Sequence, residues 1–297
     1  MNTKRTHRRA LLLMVGATLC WSSAGVLVRN MQISDGWEIT FWRSVFMSLF
    51  VGGWLWHQHR GKAWQKIRAA GVPGLLSAIL LTIMFIGFIL ALSRTTVANT
   101  LIVVSSAPFF AAMFGRLFLR EQVLPRTWLA MLAAFAGIVM MFFGAVSHDR
   151  WIGALVALVV PVAYGLNVAL LRRMRATVDM IPGILLAGII SALVTLPAAL
   201  PIEADGRDFL LLAIMGAVQL GLGCVLMTIA SRDLTAAEIG LVSILETIFG
   251  TLSVWVLVGE RPSNAALAGG AMVIVALAIN QLVVLRKQTR PEPAVIA

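Results

Sequence analysis

The chain consists of long apolar segments separated by short polar connections. Segments of about 20 mostly apolar residues are long enough to cross a hydrocarbon core about 30 Å thick as helices. Isolated strands would leave backbone amides without partners in lipid, and the segments lack the alternation of a barrel. The pattern therefore predicts ten transmembrane helices, called spans one to ten, at residues 10–28, 37–56, 73–93, 96–115, 126–146, 151–171, 181–201, 209–230, 235–257 and 265–285.

Composition supports a lipid environment. Hydrophobic residues make up 60% of the 297 positions and charged residues 12%, whereas soluble domains have about 45–50% and about 25%. The net charge of +11 raises the question of nucleic-acid binding. The basic residues form short clusters between apolar runs rather than one polar face, so no nucleic-acid partner is expected. The first apolar run lacks an A-x-A-like cleavage site, which predicts a retained span.

The distribution of Lys and Arg predicts the orientation, because cytoplasmic loops of membrane proteins carry an excess of positive charge. With the N-terminus inside, the inner segments hold 18 of the 24 basic residues and the outer loops hold five. Both termini are therefore predicted to be cytoplasmic. The outer five are Arg29, Arg94, Arg150, Arg207 and Arg261; the inner clusters include Lys4 to Arg9, Arg60 to Arg68, Arg172 to Arg175 and Arg286 to Arg290.

The two halves of the chain resemble each other at an offset of 139 residues. The matches fall on the hairpin of spans three and four and on that of spans eight and nine. Because each half has an odd number of spans, the halves must have opposite orientations, which predicts inverted repeats over 1–146 and 147–297. Such repeats are usual in secondary transporters, with a substrate site near the midplane. The matched pairs are Ala91 and Ala230, Thr96 and Thr235, Ala98 and Ala237, Val103 and Val242, Phe110 and Phe249, and Glu121 and Glu260.

Short motifs in both halves are similar to those of the drug/metabolite transporter superfamily, of the EamA type. One position departs from the family: this chain has Glu246-Thr247 where the second half often has Glu-Pro, so a break in span nine is not implied. The motifs are Trp21-Ser22-Ser23, Arg43, Ala91-Leu92-Ser93, Thr96-x-Ala98, Ala107-Pro108-Phe109, Leu119-Arg120-Glu121, Thr235-Ala236-Ala237 and Gly259-Glu260-Arg261.

The resemblance implies a multi-pass protein of the bacterial inner membrane with ten helices around a central cavity. Spans one, three, four, six, eight and nine would line the cavity, and spans five and ten would be peripheral. Members of the family mostly export amino acids and other small metabolites without ATP. The expected partners are a small-molecule substrate and the lipid bilayer. A monomer is compatible with the sequence, which does not fix the oligomeric state.

Two charged residues lie deep in the predicted spans. Arg43 is about seven residues into span two, and Glu246 is about eleven residues into span nine. At a rise of about 1.5 Å per residue both fall in the middle third of the bilayer, where charges are costly and face protein or water. Arg43 is a candidate for binding a substrate carboxylate; the alternative is a structural anchor paired to Glu246, to a helix end or to backbone carbonyls. A carboxyl group without a partner in apolar surroundings favours its protonated form, so proton coupling through Glu246 is a hypothesis.

Further polar residues at membrane depth are candidates for the cavity wall. Trp21 is near the midplane, where its indole N–H needs a partner, and this favours the cavity over lipid. For the other polar candidates the alternative role is a hydrogen bond between helices. For the proline among them the alternative role is bending its helix. These further candidates are Ser22, Asn99, Ser105, Pro108, Tyr164, Asn167, Gln219 and Ser243.

The sequence argues against an enzyme. The four histidines lie outside the spans, and Cys20 and Cys224 fall in apolar segments, so neither a catalytic set nor a metal site is expected. No Walker motif is present, and no cofactor is expected. The leading hypothesis is a secondary transporter, most simply an exporter, that rocks one half against the other. The alternative is an importer or facilitator, and the substrate class that suits the polar residues is neutral or zwitterionic, such as an amino acid.

Overall fold

The computed structural model describes residues 2–59, 63–120, 122, 125–143, 148–173, 180–234 and 236–288, and these residues form helices and short connections. A 3₁₀ turn follows α9 (Leu196–Ala198), and a π-helix joins α10 to α11 (Met215–Leu222). The helices are α1 (Asn2–Ser22), α2 (Ala24–Arg29), α3 (Gly36–His59), α4 (Ala63–Arg94), α5 (Val97–Ser105), α6 (Ala107–Leu119), α7 (Pro125–Phe143), α8 (His148–Arg173), α9 (Met180–Thr195), α10 (Gly206–Ile214), α11 (Gly223–Ala230), α12 (Ala236–Val258) and α13 (Asn264–Gln288).

Eight helical segments of the described chain are long and apolar enough to cross a membrane. They correspond to spans one, three, four and six to ten. Span two corresponds to α3, where Glu38, Arg43 and several tryptophans lower the mean hydropathy. Span five corresponds to α7, whose apolar stretch, Pro125–Met140, is shorter. The prediction of an all-helical membrane protein is confirmed, and the count of ten spans stays a prediction.

The helices pack side by side in a closed ring. In order, α1 packs on α11 and the π-helix, the π-helix on α3, α3 on α9, α9 on α4, and α4 on α8. The ring continues from α8 to α5 and α6, from α5 to α12, and from α12 back to α1. Hydrogen bonds between its helices include those from Ser44 Oγ to Ser191 Oγ at 2.9 Å and from Thr82 Oγ1 to the Ala187 carbonyl at 3.0 Å. The arrangement encloses a central axis, on which the candidate site lies.

Successive members of the ring come alternately from the two halves of the sequence. Outside it, α7 and α13 pack on each other, and α13 also contacts α5 and α12. The peripheral placement expected for spans five and ten is therefore what the packing shows. The two halves therefore contact each other all around the ring. The expected rocking of one half against the other stays a prediction.

Three spans are interrupted near their middle. The first breaks between α1 and α2 at Ser22 and Ser23, and the fourth breaks between α5 and α6 at Ser106. Pro108 lies in the first turn of α6, a position that lacks an intrahelical amide bond in any case. The eighth span widens into the π-helix, whereas α12 is continuous, as expected where the family's Glu-Pro is replaced by Glu246-Thr247.

Some sequence predictions fall outside the described residues. Among the matched repeat positions these are Glu121 and Thr235, and the boundary expected at 146/147 lies within the undescribed stretch 144–147. Four of the cations on which the predicted orientation depends also lie outside the described residues: Arg60, Lys62, Arg175 and Arg290.

We call the end of the molecule that holds the α2–α3, α4–α5 and α12–α13 connections the outer end, since the charge distribution predicts that it faces away from the cytoplasm.

Candidate functional site

Arg43 on α3 is the largest fully buried side chain among the described residues, with 1% of its surface exposed. Its Nη2 donates to the Phe85 carbonyl on α4 at 2.7 Å, and its guanidinium lies 5.8 Å from the centre of the Phe85 ring. Its Nε is buried without a hydrogen-bond partner. The sequence left open whether Arg43 pairs with Glu246, a helix end, a backbone carbonyl or a substrate. The contact of Arg43 in the structure is to a backbone carbonyl. One donor of the cation is left available to another molecule.

Three glycines lie where the eighth span contacts α3 and α1: Gly216 and Gly221 in the π-helix, and Gly223 at the start of α11. A Cβ on Gly216 would lie 2.5 Å from the Arg43 carbonyl oxygen, and one on Gly221 would lie 2.8 Å from the Phe50 ring. A Cβ on Gly223 would lie 2.5 Å from the Trp21 indole nitrogen. Side chains at these positions would separate the helices, so the glycines let the π-helix approach closely. Such widened turns occur frequently at functional sites.

Cys224 on α11 has three residues from other helices in its surroundings, Trp21 of α1, Arg43 of α3 and Glu246 of α12. The Trp21 indole also lies against Gly223, the residue before Cys224. Glu246 on α12 is half-buried, and among the described residues it has no ion pair, with Arg43 or otherwise. The four residues come from α1, α3, α11 and α12. We call this group the central cluster.

Two buried amides are also incompletely bonded. Gln219 in the π-helix and Asn167 on α8 are 3% and 4% exposed, and the side-chain carbonyl oxygen of each has no partner. A buried polar atom without a partner costs about 1–3 kcal/mol, so its persistence requires water or a ligand. Tyr164 is three residues from Asn167 and shares its face of α8.

Four other predicted wall residues bond mainly within their own helices. Ser22, Ser105 and Ser243 each donate to a backbone carbonyl three or four residues earlier, at 2.6 Å, 2.7 Å and 2.8 Å. The Asn99 amide donates to Thr95 Oγ1 at 3.2 Å. Their hydroxyl and amide protons are thus engaged locally, and with Pro108 they stay predictions as wall residues.

Sequence reasoning missed Cys224, because a cysteine in an apolar run is indistinguishable from a small packing residue. It also missed two buried carboxylates at the outer end. Glu38 accepts the backbone N–H groups of Glu203 and Ala204, and Asp208 accepts those of Gln32 and Ile33. Glu38 thus joins α3 to the segment before α10, and Asp208 joins α10 to the α2–α3 connection. No spacing motif marks these residues; the only signal was a carboxylate at each helix start.

A further acidic residue of α12, Glu238, lies near the predicted cytoplasmic end of span nine and contacts His7 Nε2 at 3.1 Å. The contact connects α1 to α12, which the sequence separation alone could not indicate. It lies far from Glu246 along α12 and takes no part in the central cluster.

The central cluster brings side chains of opposite charge close to the same thiol. It offers a buried cation with a free donor at Arg43, a carboxyl group without an ion pair at Glu246, and an aromatic and a thiol surface between them. Burial strengthens both electrostatic interactions compared with water. No group of three or more His, Cys, Asp or Glu within the described ranges could hold a metal ion.

Comparisons with known proteins agree with this architecture. The pseudopaline exporter CntI of Pseudomonas aeruginosa strain UCBPP-PA14 is 26% identical over 278 residues, covering 91% of this chain and 94% of the exporter. The CntI of strain PAO1 matches with the same identity and coverage. A solved crystal structure superposes with a TM-score of 0.64 at 17% identity, over 94% of this chain and 99% of that one. This structural likeness supports the fold alone.

A family model for EamA-like transporters matches the chain twice, at residues 8–143 and 151–281. The two matches leave only the ends and a short central connection uncovered. The chain therefore belongs to the EamA-like transporter family, within the drug/metabolite transporter superfamily that the sequence motifs resembled.

Proposed function

We propose that this chain is a secondary transporter that exports small zwitterionic metabolites, such as amino acids, across a bacterial inner membrane by alternating access. The observation that carries the proposal is the central cluster, in which Arg43 and Glu246 flank Cys224 without pairing to each other. The similarity to a protein named as a metabolite exporter supports the direction. The family membership supports transport itself.

The architecture belongs to the same proposal: ten spans, arranged as inverted halves over 1–146 and 147–297 with both termini in the cytoplasm. The ring supports it, because each contact between neighbouring spans of the ring has a counterpart when spans one to five are exchanged with six to ten. For example, span three packs on span six, and span eight packs on span one. The two family-model matches fall on either side of the expected boundary.

The substrate class follows from charge complementarity. A carboxylate could accept from the free Nε of Arg43, and an ammonium group could donate to Glu246 or to the unpartnered Gln219 Oε1. Hydrogen bonds to charged groups contribute about 1.5–3 kcal/mol each. Trp21 supplies an apolar surface for the remainder of the molecule. An α-amino acid has these three parts.

The proposal is tested with purified protein in proteoliposomes, using a panel of labelled amino acids and, as a control, neutral polyols of similar size. Saturable flux of at least one amino acid above that of empty vesicles is expected. Absence of saturable flux for every amino acid would remove the substrate class. Equal flux in both directions, unaffected by an imposed gradient, would identify a facilitator instead.

Glu246→Gln tests proton coupling, because the amide keeps the shape of the side chain and cannot exchange a proton. We expect an imposed pH gradient to increase flux several-fold in the wild type and to leave flux unchanged in the variant. Flux is compared in the same vesicles at matched protein density, with Glu203→Gln, an exposed outer carboxylate, as the control. If Glu246→Gln retained the wild-type pH response, proton coupling through this residue would be wrong.

A further inference from the structure

A second charged group lies at the outer end, away from the central cluster. Arg29, the last residue of α2, donates through Nε to Glu260 Oε2 at 2.6 Å. Its Nη1 and Nη2 donate to the carbonyls of Leu92 and Thr95 at 3.0 Å and 2.8 Å. Glu260 in turn accepts the backbone N–H of Val97 at 2.7 Å through Oε1. The ion pair thus joins the first half of the chain to the second.

Each member of the ion pair has a charge opposite in sign to the dipole at the helix end that it contacts. Leu92 and Thr95 present the free carbonyls at the end of α4, where the helix dipole is negative and favours a cation. Val97 is the first residue of α5, where the dipole is positive and favours an anion. Gly259, at φ +80, turns the chain after α12 so that Glu260 points back toward α5. Few other residues adopt this backbone conformation without strain.

The pair lies above tightly packed apolar side chains. A Cβ on Gly25 of α2 would lie 2.6 Å from Val97 Cγ1 and 2.8 Å from Val254 Cγ2, so α2, α5 and α12 meet here at van der Waals contact. In addition, α2 contacts the end of α4 on the other side of the ring. Both Arg29 and Glu260 are partly shielded, with side chains 26% and 20% exposed. The ring is therefore closed at its outer end.

We infer that Arg29 and Glu260 form a latch that holds the outer end closed and must separate each time the site opens outward. The turns at Ser23 and Ser106 separate α2 and α5, the outer segments of spans one and four, from α1 and α6. Opening would separate these outer segments from Glu260 at the end of α12. This inference rests on the proposed alternating access. The inference names the contacts that hold the transporter in the state that is closed at its outer end.

The test uses Cys224, which belongs to the central cluster below the latch, as the reporter. Cys20 is replaced by Ala, so that Cys224 is the one remaining thiol of the chain. A membrane-impermeant methanethiosulfonate reagent is added to right-side-out vesicles. We expect Glu260→Gln and Arg29→Gln each to increase the rate of Cys224 modification about tenfold, equivalent to about 1.4 kcal/mol. Inside-out vesicles should show no increase.

The matched controls are Glu203→Gln and Arg261→Gln, two exposed outer residues of the same charges that lie outside the latch. Neither should change the rate. Arg29→Lys retains the charge but cannot keep all three contacts, and should give an intermediate rate if Arg29→Gln does not fold. Elution as a single species in size-exclusion chromatography identifies folded variants.

Wild-type modification rates in folded Glu260→Gln and Arg29→Gln would overturn the latch. An equal increase in both vesicle orientations would overturn it too, since general loosening would then be the cause. The readout needs no substrate. Absence of amino-acid flux together with faster outer modification would remove the substrate class and retain the latch.

Discussion

Gly216→Ala is expected to destabilise the protein by about 3 kcal/mol, the upper part of the range for overpacked interiors. The new methyl group would lie 2.5 Å from the Arg43 carbonyl oxygen, 2.6 Å from Phe46 Cβ and 2.8 Å from the Met47 nitrogen. Two of these atoms belong to the backbone of α3, so rotation of a side chain cannot relieve the contact. The π-helix would have to move away from α3. The measurement is the thermal unfolding midpoint of purified protein in detergent.

Gly53→Ala is the matched control, because Gly53 also lies in a helix but has no atom within 4 Å of the position that a Cβ would occupy. Alanine is more favourable than glycine inside a helix by about 0.5–1 kcal/mol. The unfolding midpoint of this variant should therefore stay level or rise. If Gly216→Ala unfolded at the same temperature as Gly53→Ala, the close approach of the π-helix to α3 would be contradicted.

Arg43→Met is expected to lower amino-acid flux by about tenfold to 150-fold, the equivalent of losing one hydrogen bond to a charged group. It should leave the unfolding midpoint unchanged or raise it. Methionine fills a similar volume and removes a buried charge that has no ion pair in the described structure, and such charges are costly. The Phe85 carbonyl lies inside α4, where the helix's own hydrogen bond still engages it.

The comparison separates the two roles that the sequence left open for Arg43. A structural anchor would lose stability on substitution, and its flux would fall only as far as the folded fraction fell. A residue that binds substrate would keep its fold and lose flux. Ser44→Ala serves as a control with a structural effect. Ser44 follows Arg43 on α3, and its hydroxyl donates to Ser191 Oγ on α9. Full flux in folded Arg43→Met would contradict the substrate role.

Helix positions were predictable because the cost of unpaired amides in lipid leaves one solution for each apolar segment. The depth of Arg43 and Glu246 followed from counting along a helix. Their surroundings did not, because the distance from Arg43 to Phe85 or Cys224 depends on the order of helices in the ring. The periodicity of apolar residues within one span contains no information about the order of the helices in the ring.

The outer contacts show a second limit of sequence reasoning. In the sequence, Arg29 was one of the basic residues of the outer loops, and Glu260 was one of the matched repeat positions. Their pairing depends on the turn at Gly259 and on the free groups at the ends of α4 and α5. Glu38 and Asp208 looked like ordinary first-turn acids, and their acceptance of loop amides is a tertiary feature. Sequence reasoning thus located the central residues and missed the contacts that close the outer end.

The alternation of halves around the ring also determines how the protein is made. During synthesis, α1 is complete long before α11 and α12, the helices on which it packs. In the same way, α7 is synthesised long before α13, on which it packs. Contacts of such long sequence separation form slowly. The first five spans are therefore synthesised before most of the helices that surround them in the ring.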